Sequence, residues 1–476
     1  MIAAVGLLPL LVNGDPGKTA FVHLFEWKWN DVAQECEEFL GPMGFGAVQT
    51  SPQMEHIQGS QWWTRYQPVS YQTISRSGTE DEFRKMVSRC KQVGVDVIAD
   101  PVPNHMAGGS GTGVGGSTYG ARSYPNAGPS GYSPDDFHHN QNDVQHNCQV
   151  SNYNDKNNVQ LCDLVGLPDI NTGANYPQTQ LANYLNNLTA MGVAGFRVDA
   201  AKHQDATHVG QYLQMAGSPW VFQEVIWGAN EAVQPEMYTG NGRVTEFRWA
   251  NQVGGAFKNY DLSGLGNIPN NYLSSSQAVN FLDNHDTQRG GAPITYKDGD
   301  KYRIANYFML AHPYGYPKVM SSYYFNDHDQ GPPSTPVHSS GNVACFMGQP
   351  WVCEHRWIGV GEMVGFRNTV GNENIANWHT ESKGQLSFSR GDKGFVAFNV
   401  DSSAWESTVP TGMNPGTYCD VTQGLNPCVK VLVNQDGTIK LDLKPTSALA
   451  IHANARPSGA KERFNSTFEA GDTEVA

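Results

Sequence analysis

Eight short β-rich runs constrain this chain more than any other feature. They are TAFVHLF (19–25), FGAVQTSP (45–52), VGVDVIADPVPNH (93–105), GVAGFRVDA (192–200), PWVFQEVI (219–226), GRVTEF (242–247), QAVNFLDNHD (277–286) and YPKVMSSY (316–323). Helical patterns separate several of them, and strands alternating with helices build a parallel sheet, so eight units predict an α/β fold closed as a (β/α)8 TIM barrel. One helix opens at Thr79, with Glu82 three residues on as a capping box and Phe83, Met86, Val87 and Cys90 at helical spacing. A second is expected over about 178–191, with Leu181, Tyr184, Leu185 and Leu188 as its buried stripe.

The interval between the third and fourth runs exceeds an ordinary βα unit, and residues 106–175 are rich in Gly, Ser, Asn and Asp. A long irregular insertion is usually functional or disordered. Cys148 and Cys162 inside it argue for order, so it reads as a small irregular domain protruding after strand 3 of a barrel spanning 15–105 and 176–384. From about 385 to 454 the strand-like runs LSFSRGDKGFVAFNV, GTYCDV, VKVLVNQDGTIKLDL and ALAIHA predict a C-terminal antiparallel β-sandwich domain. Residues 455–476 are polar with little periodicity and read as a flexible tail.

The chain's 476 residues suit one barrel-sized domain with additions. A net charge of −14 opposes nucleic acid or an anionic membrane surface as partner, because either would repel it; a neutral ligand fits better. The 8 cysteines show no C-x-x-C spacing, so an even set of disulfides in an oxidising compartment is expected rather than a metal cage. The apolar start MIAAVGLLPLLVNG (1–14) lacks a basic n-region and reads as a weak or trimmed export signal. Nothing else approaches a membrane-spanning length, so a secreted, extracellular monomer is expected. Asn187-Leu-Thr and Asn465-Ser-Thr are glycosylation sequons, Asn187 on the outward face of the second helix.

In the fourth run Arg197 and Asp199 point one way while Phe196 and Val198 point the other, because strand side chains alternate. Taken alone, that is an Arg–Asp pair at a strand end. Barrel enzymes place their chemistry at the C-terminal strand ends, where three acids stand: Asp199, Glu224 and Asp286. Glycosidic hydrolysis with retention needs a carboxylate nucleophile and a protonated carboxyl roughly 5 Å apart, a distance that neighbouring strands provide. Each acid alone could be an N-cap; three together, with strand-end histidines and aromatics, favour a glycoside hydrolase. Trp62, Trp63 and Tyr66, within WWTRY after the second run, offer flat faces for sugar rings, and two adjacent tryptophans in a polar loop cannot both turn inward easily. FHHN (137–140) reads as an exposed turn.

VDVIADPVPNH, GFRVDAAKH, EVI and FLDNHD together resemble the four signature regions of the retaining α-amylase family, in order and approximate spacing. FVHLFEWKW, GSQWWTRYQPVSY, HPYGYPKVMSSY and WVCEHRW resemble its animal-type, chloride-dependent branch, which has bacterial members; the likeness spans about 19–453. It implies a secreted, endo-acting enzyme that hydrolyses internal α-1,4-glucosidic bonds of starch, glycogen and malto-oligosaccharides. Asp199 would be the nucleophile, Glu224 the general acid and base, and Asp286 the carboxylate that orients substrate. The resemblance also implies Ca2+ at the junction of barrel and insert, held by side-chain oxygens of Asn104 and Asp169 and by the carbonyls of Gln160 and His203; oxygen ligands suit that hard cation. It further implies Cl− at Arg197, Asn284 and Lys318, where most animal members have arginine in the third place; lysine is a point charge rather than a fork. Implied sugar contacts are Trp62, Trp63, Tyr66, Gln67, Asp100, His105, Tyr153, Arg197, Lys202, His203 and His285. Implied disulfides are Cys36–Cys90, Cys148–Cys162, Cys345–Cys353 and Cys419–Cys428, without a further bridge of vertebrate members. The loop TQRGGAPITYKDGD after Asp286 is shorter than the glycine-rich, histidine-bearing vertebrate loop, which puts subsite contacts there in question.

Two other readings share this fold. A non-catalytic carbohydrate-binding or transporter-associated relative usually loses part of the acid triad, which this chain keeps. A transglycosylating relative forms the same intermediate and differs in whether water or sugar resolves it.

Overall fold

A computed structural model describes residues 15–16, 19–267 and 271–457. The expected signal remnant at 1–14, Asn465 and nearly all of the expected tail lie outside the described residues.

Strands β1 (Phe21–Leu24), β2 (Ala47–Gln49), β3 (Asp96–Ala99), β4 (Gly195–Val198), β5 (Trp220–Gln223), β6 (Arg243–Thr245), β7 (Ala278–Asn280) and β8 (Tyr316–Ser321) are parallel and close a barrel, β8 returning to β1. Each falls within one of the eight β-rich runs. Phe21 pairs with Lys318 on one side and Ala47 on the other. Phe21, Ala47, Ile98, Trp220, Phe222, Val279 and Tyr316 fill the lower interior as one apolar cluster. The alternate residues, Val22, Val48, Val97, Phe196 and Val198 among them, belong to the main core outside the barrel wall.

Helices α1 (Trp29–Glu35), α2 (Glu80–Gln92) and α3 (Asn175–Ala190) pack on that wall. Thr79 Oγ1 accepts from the Glu82 N–H at 3.4 Å and Glu82 Oε2 accepts from the Thr79 N–H at 2.8 Å, the reciprocal cap of a capping box. Phe83, Met86, Val87 and Cys90 form the buried face of α2. In α3 the stripe Leu181, Tyr184, Leu185 and Leu188 is buried and Asn187 is exposed. This helix starts at Asn175 because Pro177 sits in its first turn, where no intrahelical N–H is needed.

Between β3 and α3 the chain leaves the barrel and builds a second core from Met106, Ala107, Tyr124, Ala127, Tyr132, Phe137 and Ile170, joined by Val69 from the loop after β2. Here the reading of FHHN as an exposed turn fails. Phe137 is buried against Tyr124 and Tyr132, and His138 Nδ1–H donates to Asp169 Oδ2 at 2.6 Å. A short polar run gives no sign of an aromatic anchor whose partners come from elsewhere in the insert.

The C-terminal sheet contains β9 (Ile375–Ser382), β10 (Gln385–Arg390), β11 (Gly394–Asn399) and, after smaller strands, β16 (Ser447–His452), in the order β9-β10-β11-β16 and all antiparallel. The smaller ladders pair β12 (Trp405–Pro410) with β15 (Thr438–Leu443) and β13 (Gly416–Cys419) with β14 (Lys430–Val433). The sheet is two-faced: Phe388, Val396 and Phe398 join the main core, while Phe395, Ala397 and Ile451 meet Trp405, Val409, Tyr418 and Leu441 in a separate one. Burial on both sides explains the near-continuous apolar run GFVAFNV. Strand β9 begins ten residues before the expected boundary at 385, because its half-exposed IANWHTES lacks an apolar face that would mark a strand.

All 8 cysteines form disulfides: Cys36–Cys90, Cys148–Cys162, Cys345–Cys353 and Cys419–Cys428. These are the pairs the resemblance implies. Among the described residues no helix is long and apolar enough to cross a membrane.

Candidate active site

The period of two carries the apolar interior upward into a polar layer. Moving two residues from Phe21, Ala47, Ile98, Phe222 and Tyr316 reaches His23, Gln49, Asp100, Glu224 and Lys318, each buried. On β4 the same step from Gly195 reaches Arg197 and then Asp199, so the Arg–Asp neighbourhood belongs to the barrel interior. Gly195 leaves room for Trp220, whose ring atom would lie 2.6 Å from a Cβ there.

Arg197 is the hub of this layer. Its Nη1 donates to Asp100 Oδ1 at 2.8 Å and to Asp199 Oδ1 at 2.6 Å, while Nη2 lies 2.5 Å from Glu224 Oε1. Ala200, in the left-handed region (φ 47°), turns its N–H onto Glu224 Oε2 at 3.0 Å. Such strain in a non-glycine residue marks a place where the surrounding fold over-determines the backbone. Asp286 follows β7 in a turn where Asn284 Oδ1 accepts from the N–H groups of Asp286 (3.0 Å) and Thr287 (2.8 Å).

Burial pushes the Asp199 carboxyl well above the usual range, with the Arg197 guanidinium opposing it and Glu224 and Asp100 reinforcing it. Asp286 is pushed up to about 7 by burial and by Glu224, against Arg197 and Arg289. Asp100 is also raised by burial, less the pull of Arg197. Acids packed this closely titrate as one set, and the cluster retains protons at neutral pH that isolated carboxyls would lose. A site with both a proton to give and a carboxylate to attack is the requirement of acid–base and nucleophilic catalysis on one substrate.

Above the carboxylates opens a cleft of about 480 Å³, within the range of small-ligand sites. Of the expected sugar contacts, Trp62, Trp63, Tyr66, Gln67, His105, Lys202, His203 and His285 line it together with Asp199, Glu224 and Asp286. Asp100 and Arg197 lie under its floor, where Asp100 Oδ2 accepts from Tyr66 Oη at 3.1 Å. Tyr153 is not among the residues that line the cleft; its ring lies 4.8 Å from Nζ of Lys202, which does, and Lys202 in turn donates to the Ile226 carbonyl (2.6 Å) and pairs with Glu231. Tyr66 stacks on His285 with centroids 4.9 Å apart. His105 Nε2–H donates to the Tyr66 carbonyl at 2.8 Å, and burial holds its imidazole down at about 4, hence neutral. His285 is likewise held well below the ordinary range, by burial first and then Arg197. Sequence reasoning missed the apolar wall of Leu164, Val165 and Leu167 from the insert and Ile226 after β5. No motif announces them, since the insert's tertiary path brings them there.

For a cation, the decisive observation is Asn104 Oδ1, which is buried and has no hydrogen-bond partner. Asn104 is tied to the strand-like segment of Asp169 through the Ile170 N–H, which donates to its carbonyl at 2.9 Å. Asp169 is buried, and burial and Asp163 push its carboxyl well up. The segments of Gln160 and His203 are held to each other, since His203 Nδ1–H donates to the Val159 carbonyl at 3.0 Å. An amide oxygen and a buried carboxylate suit a hard cation. No cluster of three or more His, Cys, Asp or Glu capable of holding a metal occurs among the described residues, so such a site would rest on the single carboxylate of Asp169 together with amide and backbone oxygens. For an anion, Lys318 is buried, 4.8 Å from the Phe281 ring centroid, and burial and then Arg197 push its ammonium down to about 8. An anion beside two buried cations would relieve that repulsion.

Residues 35–214 match the model for the α-amylase catalytic domain, and residues 375–454 that for the α-amylase C-terminal all-β domain. An α-amylase of Streptomyces violaceus is 42% identical, covering 96% of this chain and 78% of its own length. Rat (Rattus norvegicus) pancreatic α-amylase is 41% identical over 92% of this chain and 95% of its own. The crystal structure of α-amylase I from the earthworm Eisenia fetida superposes with a TM-score of 0.83 at 35% identity, covering 92% of this chain and 98% of that one.

Proposed function

Because the chain belongs to the α-amylase family of glycoside hydrolases, we propose that it cleaves internal α-1,4-glucosidic bonds of starch, glycogen and malto-oligosaccharides with retention, as a secreted monomer. The observation that carries the reading is the single guanidinium of Arg197 bracketing Asp199 and Glu224 beneath the aromatic cleft. Two carboxylates on neighbouring strands that share one guanidinium support the reading of a retaining pair, which needs a separation of roughly 5 Å.

In this reading Trp62, Trp63, Tyr66 and Gln67 seat the glucose chain, and Asp286 and His285 orient the ring to be broken. Asp199 attacks the anomeric carbon as Glu224 gives its proton to the leaving glycosidic oxygen. The C–O bond breaks, one sugar fragment leaves as an alcohol, and the other stays as a β-linked ester of Asp199. Glu224, now a carboxylate, takes a proton from water, and the resulting hydroxide displaces Asp199 from the opposite face. Two inversions give net retention. Neutral His285, whose Nδ1 has no partner within the protein, can face the sugar without adding positive charge beside the oxocarbenium-like transition state, while the one N–H of neutral His105 is held by the Tyr66 carbonyl.

Two ions belong to the reading. Asn104 and Asp169 would hold Ca2+ through side-chain oxygens, with the carbonyls of Gln160 and His203; the ion supplies the positive charge that cross-links insert and barrel. Arg197, Asn284 and Lys318 would hold Cl−, which supplies negative charge next to the acid cluster. Asn284 enters through its amide nitrogen, since its oxygen caps the Asp286 turn. The test is Asp199→Asn: loss of starch hydrolysis with the native circular dichroism spectrum is expected, and substantial retained turnover would refute the assignment.

A further inference from the structure

Asp286 sits at the start of a single helical turn, Thr287–Arg289, and the last residue of that turn has no part in the chemistry above. Arg289 Nη1 donates to the His285 carbonyl at 2.5 Å, Nη2 to Tyr323 Oη at 2.9 Å and Nε to the His328 carbonyl at 3.1 Å. The same His328 carbonyl accepts from Trp62 Nε1 at 2.9 Å. The guanidinium also lies 4.8 Å from the Trp62 ring centroid and 4.3 Å from that of Phe325. No carboxylate pairs with it among the described residues. A cation held by three oxygens and the ring faces of Phe25, Trp62, Tyr323 and Phe325 is a rigid, directional fastening, which a planar fork can make and a lysine cannot.

These contacts join two parts of the site that the chain supplies from different places. Trp62 comes from the loop after β2, Asp286 from the turn after β7, and Tyr323 and His328 from the segment after β8. The neighbouring Gln288 adds nothing to that bridge; its amide is spent below, donating to Asp283 Oδ2 at 2.8 Å and accepting from Ser322 Oγ at 2.8 Å. We infer that Arg289 is a positioning residue that couples the Trp62 sugar platform to the Asp286 carboxylate, so that a glucose unit seated on the indole fixes where Asp286 meets the reacting ring. Small displacements at a reacting centre cost large factors in rate, so the fastening matters more than its distance from the bond suggests. This rests on the role proposed for Asp286.

The experiment compares Arg289→Met and Arg289→Lys with the parent on maltoheptaose. It measures kcat and KM per folded molecule, the pH profile of kcat/KM and the melting temperature. Removing the charge should move the acidic limb to higher pH, because Arg289 favours the ionised form of Asp286. Glu224, Asp100, Arg197 and His285 also face Asp286, and Lys297 faces Arg289; all stay the same in both variants. Arg289→Met is expected to raise KM and lower kcat, each by about tenfold, with the limb shifted. Arg289→Lys is expected to restore the limb and leave the KM defect. Parental kcat and KM in the folded lysine variant would overturn the inference, as would a methionine variant that only melts earlier, with KM and limb unchanged. Should Arg289→Met not fold, the lysine variant alone decides by its KM. Turnover retained in Asp286→Asn would instead remove the role of Asp286 and leave the Arg289 result to be judged on KM.

Discussion

Replacing Glu354 by glutamine should flatten the fall of stability with pH. Glu354 is fully buried behind the active site, with Oε2 accepting from the Ser322 N–H at 2.6 Å and Oε1 without a hydrogen-bond partner. Burial pushes its carboxyl from 4.5 up to about 8, with the Ser322 hydrogen bond opposing and Asp283 reinforcing. A carboxyl raised in the folded state holds a proton that the unfolded chain releases. Its contribution is therefore complete below pH 4.5, declines as pH rises, and is gone above about 8. One pH unit is worth about 1.36 kcal/mol, so between pH 5 and 8 the parent loses roughly 4 kcal/mol through this group. Glutamine mimics the protonated acid, keeps an oxygen for Ser322 and does not titrate. Melting temperatures of parent and Glu354→Gln should nearly coincide at pH 5 and separate steadily to pH 8, the variant higher. Parallel curves would show that Glu354 is not a buried acid of raised affinity for its proton.

Two further predictions concern the ions. Exhaustive chelation should lower the melting temperature, since a site filled at roughly a thousand times its dissociation constant stabilises by ~4 kcal/mol; an unchanged melting temperature would rule out Ca2+ at Asn104 and Asp169. Turnover in chloride-free buffer should rise as chloride is titrated in, and identical rates throughout would end the role given to Arg197, Asn284 and Lys318.

What could be read from the residues themselves follows from period and position. The eight strands were legible because each carries a short β-branched run, and Asp199, Glu224 and Asp286 because strand ends are where a barrel exposes its chemistry. Contacts that depend on distant partners were not. Asp169 meets His138 across a turn that reads as solvent-exposed, and Val165 reaches the cleft only through the path of the insert. Ala200 carries no mark of the left-handed backbone that aims its N–H at Glu224. Arg289 looks like an ordinary loop arginine until Trp62 and Tyr323 converge on it. Strand β9 escaped because its polar, half-exposed residues have no apolar period.

The central claim is that Asp199 forms a covalent glycosyl ester which Glu224 helps water to resolve. Nuclear magnetic resonance of the first products released from maltoheptaose, for the parent beside Asp199→Asn, tests it most directly. The expected result is the α-anomer from the parent before mutarotation, and no product from the folded variant. The β-anomer from the parent, or continued cleavage by Asp199→Asn, would contradict it.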